Sequence, residues 1–138
     1  MQNPTAQNKA IVIRFNKEFI EGGDQRVFNE IIAADVINRT APEGSPNGKD
    51  GMFYFLEHVL RKGFPDLTVE ILDQVAEGDK VTTRKAIRGT HLGEFLGVPA
   101  SNKAVKIDVI DIVRLEDDQC KEHWAMSNIP ELLGQLAS

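Results

Sequence analysis

A single cysteine, Cys120, stands among 138 residues, so no internal disulfide can form and a reducing cytoplasm is the expected location. Basic residues are outnumbered, 16 Lys and Arg against 21 Asp and Glu, for a net charge of −5. A nucleic-acid surface needs a clustered basic patch, and Arg84, Lys85 and Arg88 are too few and too local to make one. No apolar run approaches the roughly 20 residues of a membrane span, and no charged-then-apolar leader opens the chain. The three histidines stand in no HxH or HExxH spacing, so no metal site is expected. A GxSxG elbow, a Walker loop and a dinucleotide fingerprint are also missing.

What is present is ordinary for a globular protein: 41% hydrophobic and 27% charged residues, enough chain for one core and not for two. One domain over 1–138 is expected. Asn3-Pro4 predicts a helix start, with Asn as cap and Pro where its missing N–H costs nothing. Ile11/Val12, Phe15 and Phe19 then keep helical spacing until Gly22-Gly23 stops the run. Asp24 is placed to cap a shorter helix through about Ala34, burying Val27, Ile31 and Ile32. Val36-Ile37-Asn38 reads as a brief extended segment, and Ala41 to Gly48 as an irregular loop. A third helix is expected from about Lys49 to Lys62, with Met52, Phe53, Leu56, Val59 and Leu60 as its apolar stripe and His58 at the surface. From Asp66 the period falls to two. Leu67, Val69 and Ile71 open a strand, and Glu77-Gly78-Asp79 turns it into a second over Val81 to about Thr90. His91 to Lys103 is loop-like. Asn128 and Glu131 have capping-box spacing ahead of a closing helix that buries Leu132, Leu133 and Leu136. Helices first and mostly antiparallel strands afterwards is the α+β pattern.

The sharpest chemistry lies in the strand pair after Lys103. Val105, Ile107, Val109, Asp111 and Val113 share a face that is apolar except for one carboxylate. Counting Glu116-Asp117-Asp118 as a three-residue turn pairs Leu115 with Gln119 and sets Asp111 opposite His123. A carboxylate on an apolar wall can serve as a general base if burial raises its pKa toward neutrality. Alternatively, a protonated His123, Arg114 or Arg84 holds it ionised for structural reasons. His123 can orient Asp111, bind a substrate oxygen or act as the acid. The other face carries Lys106, Asp108, Ile110, Ile112 and Arg114, and Trp124 is expected in the core or at a subunit contact. That partly apolar second face points to a homodimer through the outer side of the sheet.

Several phrases carry a family resemblance: FNKEFIEGGD at 15–24, GKDGMFYFL at 48–56, FPDLTVEI at 64–71, EGDKV at 77–81, GTHLGEFLGVPASNKAV at 89–105 and DIVRLEDDQCKEHW at 111–124. Together, over about residues 8 to 136, they resemble the SnoaL-like polyketide cyclase family, in the cone-shaped α+β superfamily named after nuclear transport factor 2. The resemblance implies a curved, mostly antiparallel sheet wrapped by N-terminal helices into a cone with an internal apolar pocket. It also implies a dimer, and neither a metal nor an organic cofactor. The family's characterised cyclases close a ring in an aromatic polyketide methyl ester by intramolecular aldol condensation, with an Asp as general base and a His nearby. Aligned on EHW, that base position is Ala125 here, and the family's His position is Asp111. Either Asp111 has taken over the work with His123 beside it, or the chain does not run the cyclase reaction.

With Asp111 and His123 as the expected catalytic pair, Asn38 is expected to offer an amide to a substrate carbonyl, as the resemblance favours, or else to serve as the turn residue its neighbours suggest. Phe15, Phe19, Phe53, Val109 and Ala125 are expected to line the pocket, with Phe95 at its mouth and His91 stabilising the loop there. Three functions fit: a cofactor-independent aldol-type cyclase or isomerase acting on a small hydrophobic carbonyl compound, an epoxide or ester hydrolase, or a non-catalytic binder of small apolar molecules.

Overall fold

The computed structural model describes residues 4–138, so the expected Asn3 cap lies outside the described residues. Helix α1, Pro4–Arg14, runs on into a π-helical stretch, Phe15–Glu21, and stops at Gly22 with Gly23 at φ 75°. Helix α2, Gln25–Ile31, is capped by Asp24, whose side chain accepts from the Arg26 amide. It is shorter than expected. Ile32 leaves the helix with φ −85° and ψ 119° and opens strand β1, Ile32–Asn38. Ala33 and Ala34 favour a helix intrinsically, but pairing with the sheet overrides that weak preference. The third helix is continuous through α3, Lys49–Phe53, a π-helical stretch, Tyr54–Leu60, and α4, Arg61–Gly63. Its Arg61 donates to the carbonyls of Phe19 and Ile20 at 2.6 and 2.7 Å, tying the two helices together at the end of the first.

Strands β2 (Thr68–Glu77), β3 (Lys80–Thr90), β4 (Ala104–Glu116) and β5 (Gln119–Ser127) complete an open, five-stranded sheet in the order β1-β5-β4-β3-β2. Only β1 and β5 run parallel. Helix α5, Ile129–Ala137, closes the chain. The expected capping box is not made. Asn128 turns its side chain to the sheet, accepting from the Asp108 amide at 2.9 Å and donating to the Lys106 carbonyl at 3.3 Å. Leu132 and Leu136 are buried beneath it as expected.

The β4–β5 register departs from expectation twice. Glu116 pairs with Gln119, so the turn is the two-residue Asp117-Asp118, with φ of 53° and 63°. Positive φ at both positions is the geometry whose twist matches a hairpin, and Asp tolerates it better than most residues. A bulge between Arg114 and Leu115 then shifts the ladder once more. Asp111 therefore lies opposite Ala125, and His123 lies opposite Val113. A one-residue slip would turn Asp111 and His123 to opposite faces; turn and bulge together restore the parity.

The helices cover one face of the sheet. Phe19, Phe28, Phe64, Val69, Val81 and Ile107 are almost wholly buried between the layers. Burial of a large apolar side chain contributes about 1.5–3 kcal/mol, and this shared core is what holds the functional residues in register.

Candidate functional site: a buried ion pair behind a half-exposed histidine

Asp111 sits mid-strand on the covered face of β4, only 4% exposed. Its Oδ2 receives two partners from neighbouring strands. Lys85 Nζ on β3 lies at 3.1 Å, and His123 Nε2 on β5 lies at 3.6 Å, a charge contact longer than a good hydrogen bond. Asp111 Oδ1 is buried with no protein partner. Lys85, itself 5% exposed, also donates to Asn16 Oδ1 at 2.6 Å. Asn16 lies in the π-helical stretch after α1 and donates back to the Val12 carbonyl at 2.9 Å, which fixes its amide toward the sheet. The side chain of His123 is 23% exposed, the one member of this trio that reaches beyond the core. Its Nδ1 lies 3.4 Å from Asn38 Oδ1 at the end of β1. Asn38 Oδ1 also accepts from the amide and hydroxyl of Thr40, whose Oγ1 accepts from the Ala125 amide.

Electrostatics overturns one expectation. Burial pushes the Asp111 carboxyl up, but the Lys85 ammonium and His123 outweigh it, and the net pKa falls to about 2. Asp111 is thus a firmly ionised carboxylate and not a base poised near neutrality. The proposed arginine partners are not its partners, because both project from the opposite face. Arg84 pairs with Asp73 at 2.9 Å, and Arg114 pairs with Glu122. The partner that sequence reasoning missed is Lys85. It alternates with Thr83 and Ile87 on an inward face, which was the available signal.

Asp111, His123, Asn38 and Ala125 are brought together. Phe15, Phe53 and Val109 remain half-buried, with Phe53 packed 5.1 Å from Phe28, ring centre to ring centre. Phe19 and Phe95 are corrections. Both are completely buried, Phe19 within the Phe15, Phe28 and Phe53 cluster and Phe95 against Phe64 at 4.8 Å, so neither reaches an opening. His91 does stabilise its loop, with Nδ1 2.8 Å from Ser101 Oγ and accepting the Ser101 amide at 3.2 Å. His58 is exposed, as expected. Trp124 is half-buried on the outer face. An open depression at the sheet is bordered by Leu72, Arg84, Ile110 and Met126 together with Lys85 and Val109. Among the described residues, no helix is long and apolar enough to cross a membrane.

Solved structures with this arrangement are numerous. A protein of Jannaschia sp. CCS1, provisionally named a SnoaL-like polyketide cyclase, superposes with a TM-score of 0.86 at 25% identity, covering 100% of this chain and 97% of its own. IdmH of Streptomyces antibioticus, provisionally named a polyketide cyclase, gives 0.81 at 29% identity over 96% of this chain and 99% of its own. AclR of Streptomyces galilaeus, provisionally named a hydroxylase, gives 0.83 at 27% identity over 96% of each chain. No curated protein sequence matches this chain. The family model for SnoaL-like polyketide cyclases matches residues 10–136, nearly the whole chain. With the fold, the family model and the solved structures in agreement, the chain belongs to the SnoaL-like polyketide cyclase family.

Proposed function

We propose that this protein is a cofactor-independent acid–base enzyme acting on a small hydrophobic carbonyl compound, with His123 as the proton carrier and Asp111 as its buried counter-ion. One observation carries the reading: an ionised carboxylate lies directly behind a half-exposed imidazole. Opposite an anion, His123 Nε2 holds its proton, so in the neutral ring the lone pair is on Nδ1, and Asn38 Oδ1, 3.4 Å away, accepts from Nδ1 once that nitrogen is protonated. Nδ1 takes a proton from the carbon alpha to a carbonyl, and the Asn38 amide stabilises the enolate oxygen. The enolate carbon then bonds to a second carbonyl carbon of the same molecule. The new alkoxide recovers the proton from Nδ1, giving a ring-closed isomer with no co-reactant. Asp111 stabilises the imidazolium between these steps. Phe15, Phe53, Val109 and Ala125 supply the apolar wall of the substrate pocket, and the buried thiol of Cys120 fits work in a reducing cytoplasm.

The outer face of the sheet, where Val75, Ile110 and Met126 are 69, 52 and 80% exposed, is the surface through which a second copy of the chain pairs.

The test uses an aromatic polyketide methyl ester in deuterated buffer, followed by mass spectrometry. Wild-type protein should introduce deuterium alpha to the carbonyl and form the cyclised isomer, and His123→Asn should do neither. Equal exchange by His123→Asn would overturn the reading. Binding of the ester with no exchange by wild type would favour a non-catalytic binder, for which Ala125 at the family's base position is the supporting observation.

A further inference from the structure

The reaction scheme uses Asp111 and His123 and leaves unexplained why a lysine is buried behind them. Lys85 is 5% exposed, among the least exposed polar side chains in the molecule. Lysine is rarely found so deep unless its charge is needed there. Its ammonium is held at two points, at 2.6 Å from Asn16 Oδ1 and 3.1 Å from Asp111 Oδ2. Asn16 is held in turn by the Val12 carbonyl, so the chain of contacts runs from the first helix through the sheet to His123. Lys85 and His123 converge on one and the same carboxylate oxygen.

We propose that Lys85, anchored by Asn16, is a positioning residue of this site: it holds Asp111 in place and cancels part of its field at His123. This rests on the reading of His123 as the proton carrier. A lone buried carboxylate beside an imidazole favours the imidazolium and widens the pH range over which the ring stays charged. A cation on the far side of the same oxygen reduces that pull. The charged groups facing His123 on this side are Asp111 from β4 and Lys85 from β3; β1 and the first helix contribute the neutral amides of Asn38 and Asn16. Cys120, on β5 itself, keeps its proton because burial and the Asp111 charge push its pKa up to about 12.

The experiment is a titration of the histidine ring resonances by NMR in wild type and Lys85→Met, with His123→Asn identifying the signal. Removing the ammonium should raise the His123 midpoint by about one pH unit, and Asp111→Asn should lower it. An unchanged midpoint in Lys85→Met would overturn the proposal. Should that variant not fold, Asp111→Asn is compared with Lys85→Met/Asp111→Asn, which lacks both charges. The midpoint should again rise on loss of the lysine, and equality of the two would be fatal. Cyclisation of the aromatic polyketide methyl ester provides a separate readout. The acid limb of its rate profile should move with the NMR midpoint. If the midpoint moves and the rate profile does not, the role of Lys85 stands and the assignment of His123 as base fails.

Discussion

Replacing Lys85 by Met deletes one charge from a pair in which both partners are about 5% exposed, and its effect on stability can be worked out in sign and size. The Asp111 carboxyl falls from an ordinary 3.8 to about 2 in the folded protein. Each pKa unit is worth about 1.4 kcal/mol, so the ionised carboxylate contributes about 2 kcal/mol at neutral pH. Because the folded pKa lies below the unfolded one, that contribution is full above about pH 4 and is lost as pH falls toward 2. Without Lys85 the carboxylate is buried beside His123 alone. Breaking a buried pair costs up to about 3–5 kcal/mol, and here the carboxylate keeps only the partly exposed His123 as counter-ion. Asp111 would then titrate higher than in wild type, with His123 as its remaining cation, and the loss of stability in acid becomes smaller. Wild type should lose stability between about pH 4 and 2, whereas Lys85→Met should gain relative to it over the same range. The assay is urea unfolding at pH 7 and pH 3 for wild type, Lys85→Met, Asp111→Asn and the double variant. At pH 7 the double variant should lose much less than the sum of the singles, because it leaves no lone buried charge. A Lys85→Met cost below about 1 kcal/mol at pH 7, or additive singles, would refute the reasoning.

Three further outcomes follow from other parts of the molecule. Asp118→Gly should stabilise the protein by about 0.5–1 kcal/mol in thermal unfolding, because residue 118 holds φ 63° in a two-residue turn suited to Asp-Gly. A lower melting temperature would contradict this, since only the exposed bond from Gln7 is lost. Cys120 is buried and its thiol is pushed up to about 12, chiefly by burial, so a thiol reagent at pH 8 should modify it only after denaturation; rapid labelling of the native protein would refute its burial. Ile110→Glu with Met126→Glu should convert a dimer to monomers in sedimentation equilibrium, and an unaltered mass would remove the outer face as the subunit contact.

The period-two run Val105, Ile107, Val109, Asp111 and Val113 was enough to show that β4 buries one face and that a carboxylate is set into it. The partnership with His123 was also legible, although its register was not. Apolar alternation reports which face a residue occupies, and it is blind to a two-residue turn combined with a bulge, because the two shifts cancel in parity. Lys85 escaped notice for a different reason. In the run TTRKAIRG a basic residue reads as surface, and only its parity with Thr83 and Ile87 places it inside. Asn16 likewise lies one turn from Val12 and Phe19, a polar residue on an apolar helical stripe. Phe95 was misread because a loop rich in Gly and Pro suggests an open rim, whereas the loop folds its aromatic ring onto Phe64 and Gly63.

The most direct test of the account is where an aromatic polyketide methyl ester binds, read from NMR shift changes on titrating it into the wild-type protein. Shifts centred on the His123 ring, the Asn38 side-chain amide and the Ala125 backbone are predicted. Shifts confined to Leu72, Ile110 and Met126 on the opposite face would contradict it.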